Sequence, residues 1–200
     1  MPSKALSTWR TERAANLDRL QSAQVVIKDA GSGRSWLAAE LHHAIILRLA
    51  AEFQGFARDL HDEAIVALVG VLAPAGERTQ NAVMTAYMNA RRLDRGNAES
   101  RSLDQDFGLF GMKLWKDLTD KYPDRAHRWQ DDLRLFNAVR NGLAHDDARK
   151  LRAAATAGWP LTLGSIRRWR ASLDGLASGI DRVLDEHMQR SFGTTALIGG

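Results

Sequence analysis

The hexapeptide at residues 140–145, Arg-Asn-Gly-Leu-Ala-His, brings together three side chains that could act on one phosphate. Histidine titrates near neutral pH and can carry a proton to or from an oxygen. Arginine can bind a phosphate through paired hydrogen bonds and stabilise its developing charge. The amide of Asn141 can orient either neighbour. These residue types suit metal-free cleavage of an RNA phosphodiester, because the ribose 2'-hydroxyl supplies the nucleophile.

The spacing of Arg140 and His145 sets a geometric condition. Five residues on an ideal helix rotate by about 140° net, so the two side chains would point to different sides. A bent helix end, or two copies of the motif meeting across a two-fold axis, would bring them around one phosphate. A purely structural role is the alternative, with Arg140 on a helix carbonyl, Gly142 as the C-cap and His145 favouring the helix dipole.

The Arg-x4-His spacing is weak evidence by itself, since Arg182 and His187 repeat it. That second pair lies inside a regular helical pattern, with His187 on an apolar seam and no polar residue after the arginine. We therefore place the candidate site at Arg140, Asn141 and His145.

The elements that must position this site are predicted to be helices. Period-two runs of β-branched residues are absent, and alanine and leucine are abundant. After the first helix, Gly31 and Gly33 act as breakers and Ser35 as an N-cap. The polar segment 94–108 is predicted to be a loop long enough to be functional, and 193–200 a flexible tail. The six helices are expected at about 6–27, 36–72, 78–93, 107–121, 123–143 and 165–192.

Apolar seams recur at spacings of three and four on the long helices, which fits a helical bundle or a dimer contact. We expect one domain over residues 1–200, an all-α, up-and-down bundle of about five to six helices. The seams are His42, Ile46, Leu49, Phe53, Phe56, Leu60, Ala64, Ala67 and Val71; Trp129, Leu133, Phe136, Val139 and Leu143; and Ile166, Trp169, Leu173, Leu176, Ile180, Val183 and His187.

Composition narrows the function classes. The net charge of +4 and pI near 9.8 are compatible with a polyanionic partner without demanding one. Without cysteine there is no disulfide framework and no thiolate nucleophile. No apolar run is long enough to span a membrane, and the first 20 residues do not read as a secretory signal. A cytoplasmic location is expected, with no cofactor.

Glu52 and Asp59 are candidate supporting residues. They lie seven apart on the long second helix, on a stripe with Arg48. They could pair with Arg140 or assist proton transfer, although such residues more often form a solvated face or a salt-bridge rim.

Arg167, Arg168 and Arg170 flank Trp169, which is expected in the core. The arginines are candidate contacts to RNA phosphates, with a solvated face as the alternative. Asp146 and Asp147 could cap the next turn or modulate the pKa of His145. No metal site is expected, because neither His42-His43 nor residues 61–63 have ligand spacing.

The segment 134–145, "RLFNAVRNGLAH", resembles the Arg-polar-x3-His signature of the HEPN superfamily. "LRLAAEFQGFARDLHDEAI" (47–65) is similar to the long second helix of HEPN subfamilies related to the RiboL-PSP group. "RRWRASLDGLASGIDRVLDEHMQRSFG" (167–193) resembles their closing helix. The resemblance extends over about residues 36–190. Only the hexapeptide matches a sequence motif; the rest matches in its pattern of residue types.

The resemblance implies a helical bundle that forms homodimers and builds a composite active site from two copies of the motif. It places the catalytic residues at Arg140, Asn141 and His145. Many members of that superfamily are metal-independent endoribonucleases, found as toxins with an antitoxin or nucleotidyltransferase partner or in phage defence. Others have lost catalysis and bind a protein or a nucleotide, which is the alternative function here.

Overall fold

The computed structural model describes residues 1–29 and 35–194, and these residues form helices and connecting segments without any strand. The predicted all-α class is confirmed. We number the eight helices of this part of the chain α1–α8. Helix α1 (residues 4–29) joins an α-helical turn Lys4–Thr8, a π-helical turn Trp9–Arg13 and an α-helical segment Ala14–Asp29. The others are α2 Ser35–Val71, α3 Glu77–Ala90, α4 Ser100–Gly108, α5 Leu114–Lys121, α6 Pro123–Ala144, α7 Ala148–Thr156 and α8 Leu163–Phe192.

The long helix α2 is the centre of the packing, with contacts to α1, α3, α6 and α8. Its seam is buried from Ile46 to Ala64, as predicted, whereas His42 and Ala67 are half-buried and Val71 is exposed. Burial of each large apolar side chain contributes about 1.5–3 kcal/mol. The apolar side chains that α6 and α8 bury in the same core include Trp129, Leu133, Phe136, Val139, Ile166, Trp169, Leu173, Leu176, Ile180 and Val183.

Close approach of α6 and α8 depends on two glycines. A Cβ on Gly175 would lie 2.8 Å from Trp129 Nε1, and one on Gly179 would lie 3.0 Å from Trp129 Cζ3. The indole therefore fills the space that side chains at these two positions would occupy. These two glycines therefore let α6 approach α8 closely at Trp129.

All six predicted helices are present, but the count of five to six is too low because α4 and α7 were missed. The prediction of a loop over 94–108 is wrong for residues 100–108. Leu103 and Phe107, four residues apart, are both fully buried on α4. The Asp106 carboxylate accepts hydrogen bonds from the backbone N–H groups of Arg92 (2.7 Å) and Leu93 (2.9 Å). A helix with only two large apolar residues leaves a weak periodic signal.

The next helix begins later than predicted, at Leu114 rather than near Phe107. Gly111 interrupts the chain between α4 and α5 with φ +81°, which favours glycine. The other boundaries agree within about three residues. Ser35 is the first residue of α2, while Gly31, Gly33 and residues 195–200 of the expected tail lie outside the described residues.

Two carboxylates, Glu63 of α2 and Asp181 of α8, bind the N-terminal segment. Glu63 accepts hydrogen bonds from the backbone N–H groups of Lys4 (3.1 Å) and Ala5 (2.6 Å). Asp181 accepts one from the backbone N–H of Ser3 at 3.3 Å. These bonds satisfy donors that the first turn of a helix leaves without an internal partner. Within residues 1–29 and 35–194, no helix combines the length and apolarity needed to cross a bilayer.

His61 on α2 is a titratable group placed inside the core. Its side chain is 0% exposed and its ring lies 5.1 Å from that of Phe110 and 6.1 Å from that of Phe107. Burial, together with the nearby positive charge of Arg91, lowers the pKa of His61 from 6.5 to about 4. The ring is therefore neutral in the folded protein above about pH 4.

This placement predicts a loss of stability in mild acid. Above pH 6.5 the ring is neutral in both states, and the full stability is present. As the pH falls from 6.5 to about 4, the unfolded chain takes up the proton and the folded chain does not, so the free energy of unfolding decreases by about 3 kcal/mol. Urea unfolding at several pH values measures this change.

A His61→Leu variant should show a flatter profile, because it lacks the titrating ring. His127→Leu is the matched control, since His127 is exposed on α6 and its replacement should leave the profile of the parent unchanged. Parallel profiles for the parent and His61→Leu would contradict the prediction.

Candidate active site at the end of α6

Helix α6 places the hexapeptide at the protein surface. It begins with Pro123 in its first turn, where the missing N–H costs nothing. Its buried stripe ends at Val139, which leaves the next residue, Arg140, and its neighbour Asn141 half-buried at the rim. His145 is the C-cap residue of α6 and its side chain is exposed.

The amide of Asn141 joins the site to another part of the chain. Its Oδ1 accepts hydrogen bonds from Arg140 Nη1 at 3.1 Å and from Asn97 Nδ2 at 2.8 Å. Because both donors meet the same oxygen, the orientation of the amide is fixed and Nδ2 stays available as a donor. Among the described residues, the other N–H groups of the Arg140 guanidinium make no hydrogen bond. The pair therefore presents unused donors to an anion.

Asn97 is a site residue that the sequence did not single out. It lies in the segment 91–99, which the side chains of Gln54 and Asn137 hold in place together with the Asp106 carboxylate described above. Gln54 Nε2 donates to the carbonyls of Leu93 (2.7 Å) and Gly96 (2.8 Å). Asn137 Nδ2 donates to the carbonyl of Ala98 at 3.0 Å. The polarity of this segment indicated a functional loop, but no local signal could pair it with Asn141.

Gly142 has a different role from the C-cap expected for it. It lies within α6 and is buried, and the helix continues to Ala144. A Cβ at this position would lie 2.9 Å from Leu151 Cδ2 and 3.3 Å from Lys150 Cβ. Gly142 therefore lets α7 pack directly on α6, and its proposed role as a helix-ending C-cap is wrong. The residue that adopts a positive φ after α6 is Asp146, with φ +51°.

The turn after α6 is stabilised by Asp147. Its carboxylate caps α7 by accepting hydrogen bonds from the backbone N–H groups of Arg149 (3.1 Å) and Lys150 (3.2 Å). The hydrogen bond from the Lys150 backbone, helped by its ammonium charge, lowers the pKa of Asp147 below its ordinary value. The expectation that an aspartate caps the next turn is confirmed for Asp147.

Within one chain, the structure does not bring together the side chains of Arg140 and His145. Helix α6 is regular through Ala144, and the chain turns only after His145. The bent helix end considered above is therefore absent, and the net rotation of about 140° applies. Two copies of the motif remain as the arrangement that would place both groups around one phosphate.

The second Arg-x4-His pair, Arg182 and His187, makes contacts within the fold. His187 Nε2 lies 2.8 Å from the carbonyl oxygen of Phe110 and donates to it as the ring N–H. Arg182 forms an ion pair with Glu186 at 2.7 Å. These contacts account for both residues structurally and support placing the site at His145.

Glu52 and Asp59 are paired with Arg13 rather than with Arg140. Glu52 lies 2.8 Å from Arg13 Nη1, and Asp59 lies 2.6 Å from Arg13 Nη2. Burial by itself would raise the pKa of Glu52, but hydrogen bonds from Arg13, Asn16 and Arg48 outweigh it and hold the pKa below its ordinary value. The two carboxylates form the salt-bridge rim that was the alternative to a catalytic role.

The three arginines near Trp169 differ in their contacts. Trp169 is fully buried, as predicted. Arg168 lies over the Trp159 ring at 4.3 Å and donates to the Gly158 carbonyl at 2.8 Å. Arg170 pairs with Asp18 at 2.6 Å, and Arg167 is exposed. No hydrogen bond or ion pair links these three arginines to the hexapeptide.

A groove of about 620 Å³ adjoins Asn141. It lies between the start of α4, the exposed side of α6 and the first turn of α7. The residues that line it are Glu99, Ser100, Arg101, Gln130, Asp131, Arg134, Asn137, Ala138, Asn141 and Lys150.

Comparison with protein-family models, with curated proteins and with solved structures finds no match to this chain. The HEPN resemblance therefore stays a prediction that rests on the hexapeptide and the two helix patterns. In residues 1–29 and 35–194, no three or more metal-binding side chains come together in one place.

The close contact at Gly142 predicts a specific stability effect. Gly142→Ala should lower the free energy of unfolding by about 1–3 kcal/mol, because its methyl group meets Leu151 and Lys150. Adding Leu151→Ala should recover part of that loss, because the clash partner is shortened. Urea unfolding of the parent, both single variants and the double variant gives the coupling energy. Strictly additive losses would contradict the contact.

Proposed function

We propose that this protein is a metal-independent endoribonuclease of the HEPN type, acting in the cytoplasm as a homodimer. The observation that carries the proposal is the arrangement at the end of α6. An exposed His145 lies four residues beyond Asn141, whose amide is bonded by Arg140 and Asn97 and keeps its Nδ2 donors available. This combination supplies a proton carrier and an anion binder at the same end of α6.

The reaction follows from these groups. The ribose 2'-oxygen attacks the adjacent phosphorus, and the bond from phosphorus to the 5'-oxygen breaks. An imidazole removes the 2'-hydroxyl proton and an imidazolium returns a proton to the leaving 5'-oxygen. The Arg140 guanidinium binds the phosphate and stabilises the added charge, with Asn141 supporting it. The products carry a 2',3'-cyclic phosphate and a 5'-hydroxyl.

A homodimer would overcome the separation of Arg140 and His145 around α6, because the second chain supplies another copy of each side chain. Two copies of the motif facing each other would surround one phosphate with two guanidinium groups and two imidazoles, so that one histidine acts as the base and the other as the acid. The proposed biological role, a toxin or phage-defence effector with an antitoxin or nucleotidyltransferase partner, rests on the family resemblance.

Single substitutions in the hexapeptide test the proposal. His145→Ala should lower the cleavage rate of total RNA by about 10²–10⁴-fold, because proton transfer is lost. Arg140→Ala should lower it by about 10²–10³-fold through loss of charge stabilisation. Cleavage by the parent should persist in EDTA, and end-group analysis should find the cyclic phosphate.

Matched controls are available on the same helix. His127→Ala and Arg125→Ala remove an exposed histidine and an exposed arginine of α6 outside the site, and both should cut like the parent. If His145→Ala cuts as fast as His127→Ala, the mechanism is wrong. If the parent does not cut RNA at all, the alternative of a non-catalytic binding bundle gains support. A parent that cuts at concentrations where its measured mass is that of a monomer would contradict the two-copy site.

A further inference from the structure

The groove that begins at Asn141 has features that the cleavage chemistry itself does not use. It runs from Asn141 along α6 to the N-terminus of α4, so it adjoins the proposed scissile phosphate. Its volume of about 620 Å³ lies within the range of small-molecule sites. A ligand in it would share the Asn141 amide with the reacting phosphate.

Positive charge at the rim is available to a ligand. Arg101 is exposed, and Arg134 lies 3.6 Å from Asp131 with both side chains 74% exposed. Lys150 is likewise 3.5 Å from Asp147 at the surface. Exposed ion pairs of this kind contribute little stability, so a phosphate can replace the carboxylate as partner at small cost.

The N-terminus of α4 adds a second anion-binding element. Glu99 occupies the N-cap position, but its side chain does not cap the helix. The Ser100 hydroxyl oxygen beside it is buried and has no hydrogen-bond partner within the described residues. An unsatisfied buried hydroxyl costs free energy unless a ligand or water bonds it. Both features mark this end of the groove as a place for an acceptor-rich ligand.

The α6 side of the groove carries amides that can read a base. Gln130, Asn137 and Asn141 occur on this side at intervals that keep them on one helix face. Asn137 uses Nδ2 on the carbonyls of Ala98 and Leu133, both at 3.0 Å, and Oδ1 makes no hydrogen bond among the described residues. Amides offer both donors and acceptors to the edge of an unpaired base.

We propose that this groove binds one unpaired nucleotide of the RNA strand, next to the phosphate that is cleaved. Its phosphate faces Arg101, Arg134 and the start of α4, and its base lies against the amides of α6. This inference rests on the proposed ribonuclease function, since it assigns the position of the same substrate. It also predicts that cleavage prefers single-stranded RNA and depends on the base in the groove.

The test separates binding from cleavage by using the His145→Ala protein. Fluorescence anisotropy with a labelled single-stranded RNA gives the Kd at several salt concentrations. Adding Arg101→Ala and Arg134→Ala should weaken binding by about tenfold or more. The slope of log K against log salt should become shallower by about 1.4, because two phosphate contacts are lost at about 0.7 each.

Arg125→Ala with Arg128→Ala is the charge-matched control, since both arginines are exposed on α6 outside the groove. The proposal predicts that this control binds like the His145→Ala protein. Equal losses in the two double variants, no loss in either, or equally tight binding of duplex RNA would overturn the groove assignment. In the protein with His145 intact, Gln130→Ala should shift which steps are cut, and an unchanged cleavage pattern would overturn the base contact.

The experiments distinguish failure of the ribonuclease proposal from failure of the groove proposal. A parent protein that binds RNA through Arg101 and Arg134 without cutting it would contradict the nuclease and leave the groove standing. A parent that cuts RNA while binding it independently of these arginines would contradict the groove alone.

Discussion

The candidate site depends on how the irregular segment 91–99 is held against α6. Buried polar groups must find hydrogen-bond partners, and here the partners come from three different helices: Gln54 on α2, Asp106 on α4 and Asn137 on α6. Removing any of these side chains would leave backbone groups of the segment without a partner. The segment is therefore held in one position at the edge of the core. This position places Asn97 beside Asn141.

This arrangement explains why the site can be stable without regular structure on one side. The carbonyls of Leu93, Gly96 and Ala98 are all engaged by side-chain amides, so the segment has few alternative conformations. Side chains held by such networks lose less freedom when a ligand binds. The Asn141 amide, whose oxygen accepts from two donors, is held in one orientation in the absence of any ligand.

The sequence predicted the long elements well because their apolar seams are long. The seams of α2, α6 and α8 each extend over several turns, and burial followed the spacing. Helices α4 and α7 have nine residues each and few large apolar side chains, so their periodicity was too short to recognise. Arg140, Asn141 and His145 were predicted from residue type, spacing and the family resemblance, and the structure places them at the C-terminal end of α6. The role of Gly142 was misjudged because a close contact with Leu151, made across a turn, has the same sequence signature as a helix end.

The π-helical turn Trp9–Arg13 has a consequence for how α1 faces its neighbours. Such a turn amounts to one extra residue in an α-helix, which rotates everything after it by about 100°. Trp9 and Leu17 would differ by about 80° on an uninterrupted helix, yet both are buried. The inserted residue realigns them and turns Arg13 toward Gly55, whose missing Cβ leaves room for the guanidinium. Loss of a single residue within this turn would thus set the two halves of α1 out of phase, and only one of them could stay docked.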